Sequence, residues 1–409
     1  MATTLRFMQI SDLHLDSSLA GGRLGYPPDK RERLNHDMAR ALVRAVGMAR
    51  EAEVDVILIP GDAWDDESVN LQTAVQFFEV LAKAAPIPVI ITPGNHDPYY
   101  VFSYYNPAFY QDKTGYAHPP NVTIITSPEI TRVQVPQLSG VYFYGCCFTE
   151  NRPRRDRILR SVKAGTEDGL HVLLLHGSQD DGVAPNPDAL ATAPFTAAEL
   201  LECGFDYAAL GHYHRYSDIR DSSSGNIRAA YGGIPVARGL DEMGDHFVLF
   251  GEIERGGVRP DGLIQEYVDV RHIKRLPVKI DRTVMTTLEL ESRISAALRE
   301  AGATADDIVY VVLEGYTHPE ISSFAIDRDW CNRQCFHLVI DQSRLSPDYG
   351  DLDAESASDK HVEGRFNQRM LELLSAAGDD PRKHRLIQMA RTIGLDALHG
   401  REVKPRNVY

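Results

Sequence analysis

The sequence has few cysteines, no long apolar run and no recognisable leader segment. Its five cysteines are an odd number among 409 residues, and no two of them form a Cys-x-x-Cys pair. A disulfide framework is therefore not expected. No apolar run approaches the roughly 18–20 residues that a membrane-spanning helix needs. The first residues, MATTLRFMQISDLHL, lack the basic and apolar regions of a signal peptide. Together these absences predict a cytoplasmic protein that does not enter a membrane.

Positive charge is also scarce. The 43 lysines and arginines are outnumbered by 58 aspartates and glutamates, which gives a formal net charge of −15. This balance argues against a protein that binds nucleic acid through bulk positive charge. It leaves open a protein that holds phosphate groups through metal ions.

Two segments depart from the acidic average. Residues 152–163, RPRRDRILRSVK, carry six basic residues and one aspartate, and residues 381–409 carry seven basic residues. The first segment could follow a DNA backbone, or it could be the solvated face of a helix. The sequence alone does not decide between these two interpretations.

Strand-like and helix-like patterns alternate over the first 270 residues. VDVILIPG, IPVIITPG and HVLLLHG are near-continuous apolar segments, which is typical of strands buried on both faces. The segment at residues 29–52 repeats its apolar residues with the 3.6-residue period of an amphipathic helix. This alternation predicts an α/β protein, and the number of strands predicts two sheets rather than one.

The pattern changes after residue 270, and the length of the chain suggests two or three domains. A strand–helix–strand unit that ends in a further strand comes first. The polar, acidic segment SRLSPDYGDLDAESASD follows and is typical of a linker, and two helix-like segments come after it. We therefore expect three domains, at residues 1–270, 271–345 and 346–409.

Side chains of types that can bind metal or transfer protons follow five of the predicted strands, each at the point where the strand ends. They are Asp12 and His14, Asp62, Asn95 with His96 and Asp97, His176, and His212 with His214. Loops at the carboxyl ends of strands in α/β proteins converge on one crevice, so these side chains can meet in space. Oxygen and nitrogen donors without thiolate suit Mn²⁺, Fe or Zn²⁺ better than Ca²⁺.

Two nearby residues leave alternatives open. His171 competes with His176, but it enters its strand instead of leaving it, so we prefer His176. Asp65, in GDAWDD, is a further candidate, and a surface turn accounts for it equally well.

The motifs Asp12-x-His14, Gly61-Asp62, Gly94-Asn95-His96-Asp97, His176 and Gly211-His212-x-His214 together resemble the signature of the calcineurin-like metallophosphoesterases. Within that superfamily the chain is most similar to the SbcD/YhaO branch of DNA double-strand-break repair exonucleases. The strand–helix–strand unit after residue 270 and the ending LDALHGREV carry this second resemblance. The implied fold is α/β, a four-layer αββα sandwich with a small α/β cap domain and a helical C-terminal tail.

The resemblance also implies roles for the residues. Two divalent metal ions, most often Mn²⁺, would be the cofactors, with Asp62 bridging them. The first ion would be held by Asp12, His14, Asp62 and His214, and the second by Asp62, Asn95, His176 and His212. His96 would act on the leaving oxygen of the phosphodiester, and Asp97 would orient His96.

The implied function is a Mn²⁺-dependent DNA exonuclease and endonuclease that acts at DNA ends. Its partners would be DNA, an SMC-like coiled-coil ABC ATPase bound through residues 346–409, and a second copy of the chain in a homodimer, with no membrane involved. Two alternatives stay open. One is a phosphatase or cyclic-nucleotide phosphodiesterase with the same dinuclear centre, and the other is a scaffold for the ATPase.

Two further patterns each allow two interpretations. Residues 99–110, YYVFSYYNPAFY, contain seven aromatic side chains, which could stack on unpaired bases or pack a loop onto its own domain. Cys331, Cys335 and His337 could suggest zinc, but they lack a fourth ligand and the usual spacing. We expect buried thiols there.

Overall fold

The computed structural model describes residues 4–20, 23–181, 192–269, 271–318, 321, 323–348, 362–378 and 380–400. The chain divides into two compact units, residues 1–273 and 274–409. In the described part of the chain, no helix combines the length and the apolarity that a bilayer crossing demands. Most of the acidic segment predicted as a linker lies outside the described residues, as does the end of the LDALHGREV motif.

The first unit contains thirteen strands in its described part. They are β1 (Thr4–Gln9), β2 (Val56–Ile59), β3 (Val89–Ile91), β4 (Val122–Ile124), β5 (Thr131–Val133), β6 (Val141–Gly145), β7 (Leu170–His176), β8 (Tyr207–Gly211), β9 (Ser217–Arg220), β10 (Ile227–Tyr231), β11 (Val248–Glu254), β12 (Gly257–Val258) and β13 (Ile264–Glu266). Its helices are α1 (Pro28–Glu51), α2 (Leu71–Ala82), α3 (Pro107–Thr114) and α4 (Ala197–Cys203).

The strands form one continuous, curled sheet. Its hydrogen-bonded order is β4-β3-β2-β1-β11-β12-β10-β8-β7-β6-β5, with β13 beside β11 and β9 beside β10. The expectation of two separate sheets is therefore wrong in its connectivity, because β11 and β12 join the two halves. Strands β1 to β4 are parallel in one half, and β6, β7, β8 and β10 are parallel in the other.

The two halves nevertheless form two layers that face each other. Because successive side chains of a strand point to opposite faces, Val56 and Leu58 of β2 enter the core between the halves. Ile57 and Ile59 of the same strand enter the core beneath α1 and α2. On β7, Leu174 faces the central core, and its neighbours face the core beneath α4. The four-layer αββα arrangement is thus confirmed.

The second unit is a small α/β fold followed by two helices. Its elements are β14 (Ile273–Ile280), α5 (Thr287–Glu300), β15 (Ile308–Thr317), α6 (Arg328–Gln334), β16 (His337–Pro347), α7 (Val362–Ala376) and α8 (Pro381–Leu398). The three strands pair in the order β14-β15-β16. Thr286 and Glu289 form a reciprocal capping box at the start of α5. The predicted small α/β domain and helical tail are both present.

Candidate metal centre

Contacts between loops bring the strand-end residues of both halves together. The backbone N–H of His212, after β8, donates a 2.9 Å hydrogen bond to Oδ1 of Asp12, after β1. Oδ1 of Asn95, after β3, lies 3.0 Å from Nε2 of His176 at the end of β7. Residues that are up to 200 positions apart therefore share one site, as the rule of converging strand ends predicts.

Two groups of candidate metal ligands meet at this site. Within each group, one possible ligand atom per residue lies within 4.8 Å of the others; the groups are Asp12, His14 and His214, and Asp12, Asp62 and His176. Oδ2 of Asp62 lies 3.2 Å from Nε2 of His176 and 3.7 Å from Nε2 of His14. Asp62 therefore faces both groups, which suits a bridging ligand, and that role stays a prediction.

Asp65 belongs to the edge of the same site. Its Oδ1 lies 2.6 Å from Nδ1 of His14 and 3.5 Å from Nδ1 of His96. These three residues form a further group whose ligand atoms lie within 4.8 Å of one another. Asp65 therefore lies at the edge of the metal centre and is not merely part of a surface turn.

His96 and Asp97 are adjacent in sequence but have different surroundings. The His96 side chain is 46% exposed, and its backbone N–H donates to Oδ1 of Asp62 at 2.9 Å. Asp97 is fully buried, and its carboxylate accepts hydrogen bonds from the N–H groups of Asp62, Ala63 and Gly94. None of the bonds described for this carboxylate goes to the His96 ring. Asp97 therefore ties the loop after β2 to the loop after β3.

Most of the aromatic tract at residues 99–110 packs on its own unit. Tyr105 is fully buried, and its hydroxyl donates to Asp97 at 2.7 Å. The hydroxyl of Tyr100 donates to Asp66 at 2.8 Å. Phe102 is 66% exposed. Packing thus accounts for most of the tract, and sequence analysis missed Tyr105 as a support for Asp97.

Several site residues have a backbone conformation that L-residues rarely adopt. The φ angles of Asp12, His14, Asp62 and His212 are 50°, 46°, 52° and 104°. Such conformations cost on the order of 1–3 kcal/mol each and tend to cluster at functional sites. The surrounding structure therefore keeps these four residues in unfavourable backbone conformations that place their side chains at the site.

The glycines of the motifs allow close backbone approach. A Cβ atom at Gly61 would lie 2.5 Å from Nδ1 of His176. A Cβ atom at Gly94 would overlap Oδ1 of Asp62 and lie 2.8 Å from its backbone nitrogen. The motifs Gly-Asp and Gly-Asn-His-Asp thus begin with glycine because any larger residue would collide with neighbouring site residues.

Gly94→Ala is expected to lower the free energy of unfolding by about 1–3 kcal/mol, because the new methyl group overpacks against Asp62. Denaturant unfolding measures this change. Gly47→Ala is the matched control, since nothing lies within 4 Å of its Cβ position in α1 and alanine favours a helix by about 0.5–1 kcal/mol over glycine. Equal stability of the two variants would contradict the crowding argument.

The protonation states of two of the histidines suit cation binding. Burial and the guanidinium of Arg238 lower the pKa of His14 to about 4. Burial and neighbouring His176 lower the pKa of His212 to about 3. Burial would also lower the pKa of His176, but the carboxylate of Asp62 raises it to about 9. His14 and His212 are thus neutral at neutral pH, the form that binds cations, and His176 would release a proton on binding one.

Two buried atoms at the site fit a metal centre directly. Among the described residues, Oδ2 of Asp12 and Nε2 of His212 are buried without a hydrogen-bond partner. An orphaned carboxylate oxygen and an orphaned imidazole nitrogen are costly unless a further group binds them. The donor set of carboxylate, amide and imidazole fits a pair of divalent transition-metal ions.

The competing histidine and the cysteine group lie elsewhere. His171 is buried, and its ring contacts the hydroxyl of Tyr144 and the carbonyl oxygen of Glu167. Cys331, Cys335 and His337 are not among the metal-competent groups of the described residues.

Sequence analysis missed a charged pair beside His214. Oε1 of Glu242 lies 2.8 Å from Nδ1 of His214, and Arg238 forms an ion pair with Glu242 at 2.7 Å. Neither residue follows a strand end, so the pattern that revealed the other side chains could not reveal this pair.

The family model for calcineurin-like phosphoesterases matches residues 5–216, a range that contains all of the predicted site residues. The chain belongs to the calcineurin-like phosphoesterase family. It is accordingly a phosphoester-cleaving hydrolase with a dinuclear metal centre. Which residues hold which ion stays a prediction.

Two bacterial relatives extend this family assignment. The metallophosphoesterase YhaO of Bacillus subtilis is 26% identical over 332 residues, which cover 78% of this chain and 74% of YhaO. The SbcD component of the nuclease SbcCD from the same species is 23% identical over 273 residues, which cover 59% of this chain and 64% of SbcD. These relatives support the resemblance to the SbcD/YhaO branch.

Solved structures of more distant proteins show lower similarity. A dimetal phosphatase from Danio rerio is 13% identical with a TM-score of 0.37, and the match covers 65% of this chain and 99% of the phosphatase. The protein TT1561 of Thermus thermophilus is 11% identical with a TM-score of 0.35, covering 62% of this chain and 99% of TT1561.

Proposed function

We propose that the chain is a Mn²⁺-dependent nuclease that hydrolyses phosphodiester bonds at DNA ends, as exonuclease and endonuclease, within a DNA repair complex. The observation that carries the DNA assignment is the similarity to SbcD, a component of the nuclease SbcCD. The match to YhaO covers 78% of this chain, which is more than the 273 residues of the first unit, so the relative shares part of the second unit as well. A phosphoesterase for small substrates would not need that second unit.

The proposed chemistry assigns the buried residues to metal binding. The ions would be held by Asp12, His14, Asp62, Asn95, His176, His212 and His214. When bound, the ions supply Lewis acidity and lower the pKa of the attacking water. Asp97 keeps the Asp62 loop in place by accepting hydrogen bonds from the backbone N–H groups of Asp62 and Ala63.

His96 is exposed enough to contact a substrate. Its ring is 46% exposed, although its backbone is anchored to Asp62 at 2.9 Å. A ring at the open side of the centre can donate a proton to the leaving oxygen of a phosphodiester. We propose this role for His96.

The basic segment at residues 152–163 gives the nuclease only modest support. It is not helical, so it is not the solvated helix face that the sequence allowed. Arg154 pairs with Asp156 at 2.8 Å, and Arg157 pairs with Glu199 at 2.8 Å. Arg155 and Arg160 are exposed and take part in none of the ion pairs of the described residues. With a net charge of −15, a phosphatase or small-molecule phosphodiesterase is the second candidate.

Parallel assays separate the candidates. Mn²⁺-dependent cleavage of end-labelled DNA is measured beside hydrolysis of an aryl phosphodiester. The nuclease proposal expects both substrates to be cleaved. Hydrolysis of the aryl ester alone would favour the small-substrate enzyme, and hydrolysis of neither would favour a scaffold for an ATPase.

We also propose that α7 and α8 bind a coiled-coil ABC ATPase of the SMC type, in an assembly that contains two copies of this chain. The two helices contact each other through polar groups, such as Nε of Arg391 donating to Asn367 at 2.6 Å. Leu373 and Leu386 are 36% and 47% exposed. Exposed leucines on paired helices are typical of a surface that another helix covers.

Replacing Leu373 and Leu386 together with Asp is expected to weaken ATPase binding by about tenfold or more, since a partner would bury the exposed 36% and 47% of the two leucines and complete burial of a leucine contributes about 1.5–3 kcal/mol. Binding titration with a purified coiled-coil ABC ATPase of the SMC type measures this loss. DNA cleavage by the isolated chain should not change. Leu288→Asp is the control, because Leu288 is a 72% exposed leucine on α5. Equal ATPase binding by the wild type, the double leucine variant and Leu288→Asp would contradict the docking role.

A further inference from the structure

A buried arginine–glutamate pair lies behind His214. Both residues belong to the loop between β10 and β11, and Glu242 is in a 3₁₀ turn, Leu240–Glu242. The side chains of Glu242 and Arg238 are 4% and 13% exposed. Nη2 of Arg238 donates to Oε1 of Glu242 at 2.7 Å, and the backbone N–H of Arg238 donates to Oε2 at 2.7 Å. Both carboxylate oxygens are therefore fixed by Arg238.

The same carboxylate sets the tautomer of His214. Oε1 of Glu242 lies 2.8 Å from Nδ1 of His214 and can only accept a hydrogen bond. Nη2 of Arg238, 3.3 Å from Nδ1, is itself a donor. The Nδ1 proton therefore points to Glu242, and in the neutral ring the lone pair is on Nε2. That atom lies 3.2 Å from Nε2 of His14, inside the donor group that Asp12 completes.

We propose that Glu242, held by Arg238, is a positioning residue that fixes His214 as a metal ligand. A carboxylate on the far nitrogen orients a ligating imidazole and raises its basicity. Arg238 compensates the buried charge of Glu242, so that charge is tolerated beside the centre. The inference rests on the proposed function only in treating His214 as a ligand.

The carboxylate partner distinguishes His214 from His176. Nδ1 of His176 contacts a neutral acceptor, the carbonyl oxygen of Pro60, at 3.0 Å. A neutral carbonyl polarises an imidazole less than a carboxylate does. Loss of Glu242 should therefore lower the affinity for the ion that His214 would hold and leave the affinity for the ion that His176 would hold unchanged.

Calorimetric titration of the full chain with Mn²⁺ tests the inference. Glu242→Gln is expected to weaken one of two bound ions about 10- to 100-fold and to leave the other unchanged. Because the single variant leaves Arg238 without its counter-charge, the double variant Arg238→Met with Glu242→Gln is measured too. It removes both charges together and should show the same loss of affinity. Glu199→Gln is the control, since Glu199 also pairs with an arginine, Arg157, at 2.8 Å.

Two results would overturn the inference. One is a Mn²⁺ affinity within about threefold of wild type in both Glu242 variants. The other is reduced stability in chelator without any loss of Mn²⁺ affinity, which is what a merely structural pair would give. A wild-type chain that binds two Mn²⁺ ions but cleaves no DNA would refute the nuclease and leave this inference standing. A wild-type chain that binds no Mn²⁺ would refute both.

Discussion

Asp62→Asn is expected to lower Mn²⁺-dependent hydrolysis by on the order of 10³-fold while the protein stays folded. Oδ2 of Asp62 lies 3.2 Å from Nε2 of His176 and 3.7 Å from Nε2 of His14. The amide therefore removes a negative charge that faces both groups of candidate ligands. Asparagine has nearly the same shape as aspartate and tolerates the left-handed φ of 52° at this position. Steady-state rates on labelled DNA and on an aryl phosphodiester measure the loss, with bound Mn²⁺ determined in parallel.

Asp218→Asn is the matched control for this experiment. Asp218 lies on β9, accepts a 2.9 Å hydrogen bond from the hydroxyl of Tyr216, and pairs with Arg220 at 2.7 Å. Like Asp62→Asn, this substitution removes a buried or half-buried negative charge that faces a basic side chain. Asp218, however, belongs to none of the metal-competent groups of the described residues. Its rate should match that of wild type. If the rate of Asp62→Asn were within tenfold of the wild-type rate, the proposed role of Asp62 as a bridging ligand would be contradicted.

The residues that leave strand ends could be anticipated from sequence because the rule that places them is local. A buried apolar strand, a glycine and then a polar side chain are visible in sequence within a few positions. The parallel arrangement of strands brings such ends to one edge. His176 could be preferred over His171 on this ground alone, and the structure places His176, not His171, beside Asp62. The assignment of these side chains to particular ions remains a prediction.

Glu242 and Arg238 could not be anticipated, since their role depends on tertiary contact. Glu242 lies 28 residues after His214, in a GLDEMG segment that is typical of a surface turn. Only the folded loop buries it. Asp97 shows a related limit. Its position beside His96 suggested that it orients that ring, whereas its carboxylate accepts three backbone N–H groups from two loops.

Short elements were the other source of error in the fold. Strand β12 has only two residues, Gly257 and Val258, which is too short for any periodic pattern. It nevertheless joins the halves of the sheet, and a Cβ atom at Gly257 would lie 2.6 Å from the carbonyl oxygen of Ile227. Helix α3 had visible signals, with Asn106 as its cap, Pro107 in its first turn and Gly115 after its end.

His96→Ala is expected to lower DNA hydrolysis by about 10²- to 10⁴-fold, the range typical of a lost general acid. Mn²⁺ affinity should change little, because the ring is 46% exposed and lies outside the two groups that contain Asp12. Rates on labelled DNA and calorimetric Mn²⁺ titration measure the two effects separately. His36→Ala, on the exposed face of α1, is the control for removal of an imidazole from the same unit.

The leaving group of the substrate decides whether the His96 defect has the proposed cause. The sugar oxygen that leaves DNA is strongly basic and needs a proton in the transition state, whereas an aryl oxide with electron-withdrawing groups leaves without one. The variant should therefore lose far more activity on DNA than on an activated aryl phosphodiester. An equal loss on both substrates would show that the imidazole acts before the bond breaks, by binding the phosphodiester. The 2.9 Å hydrogen bond from the His96 backbone N–H to Asp62 is unaffected in either case. Because alanine retains that backbone N–H, a defect confined to DNA would assign the effect to the imidazole itself.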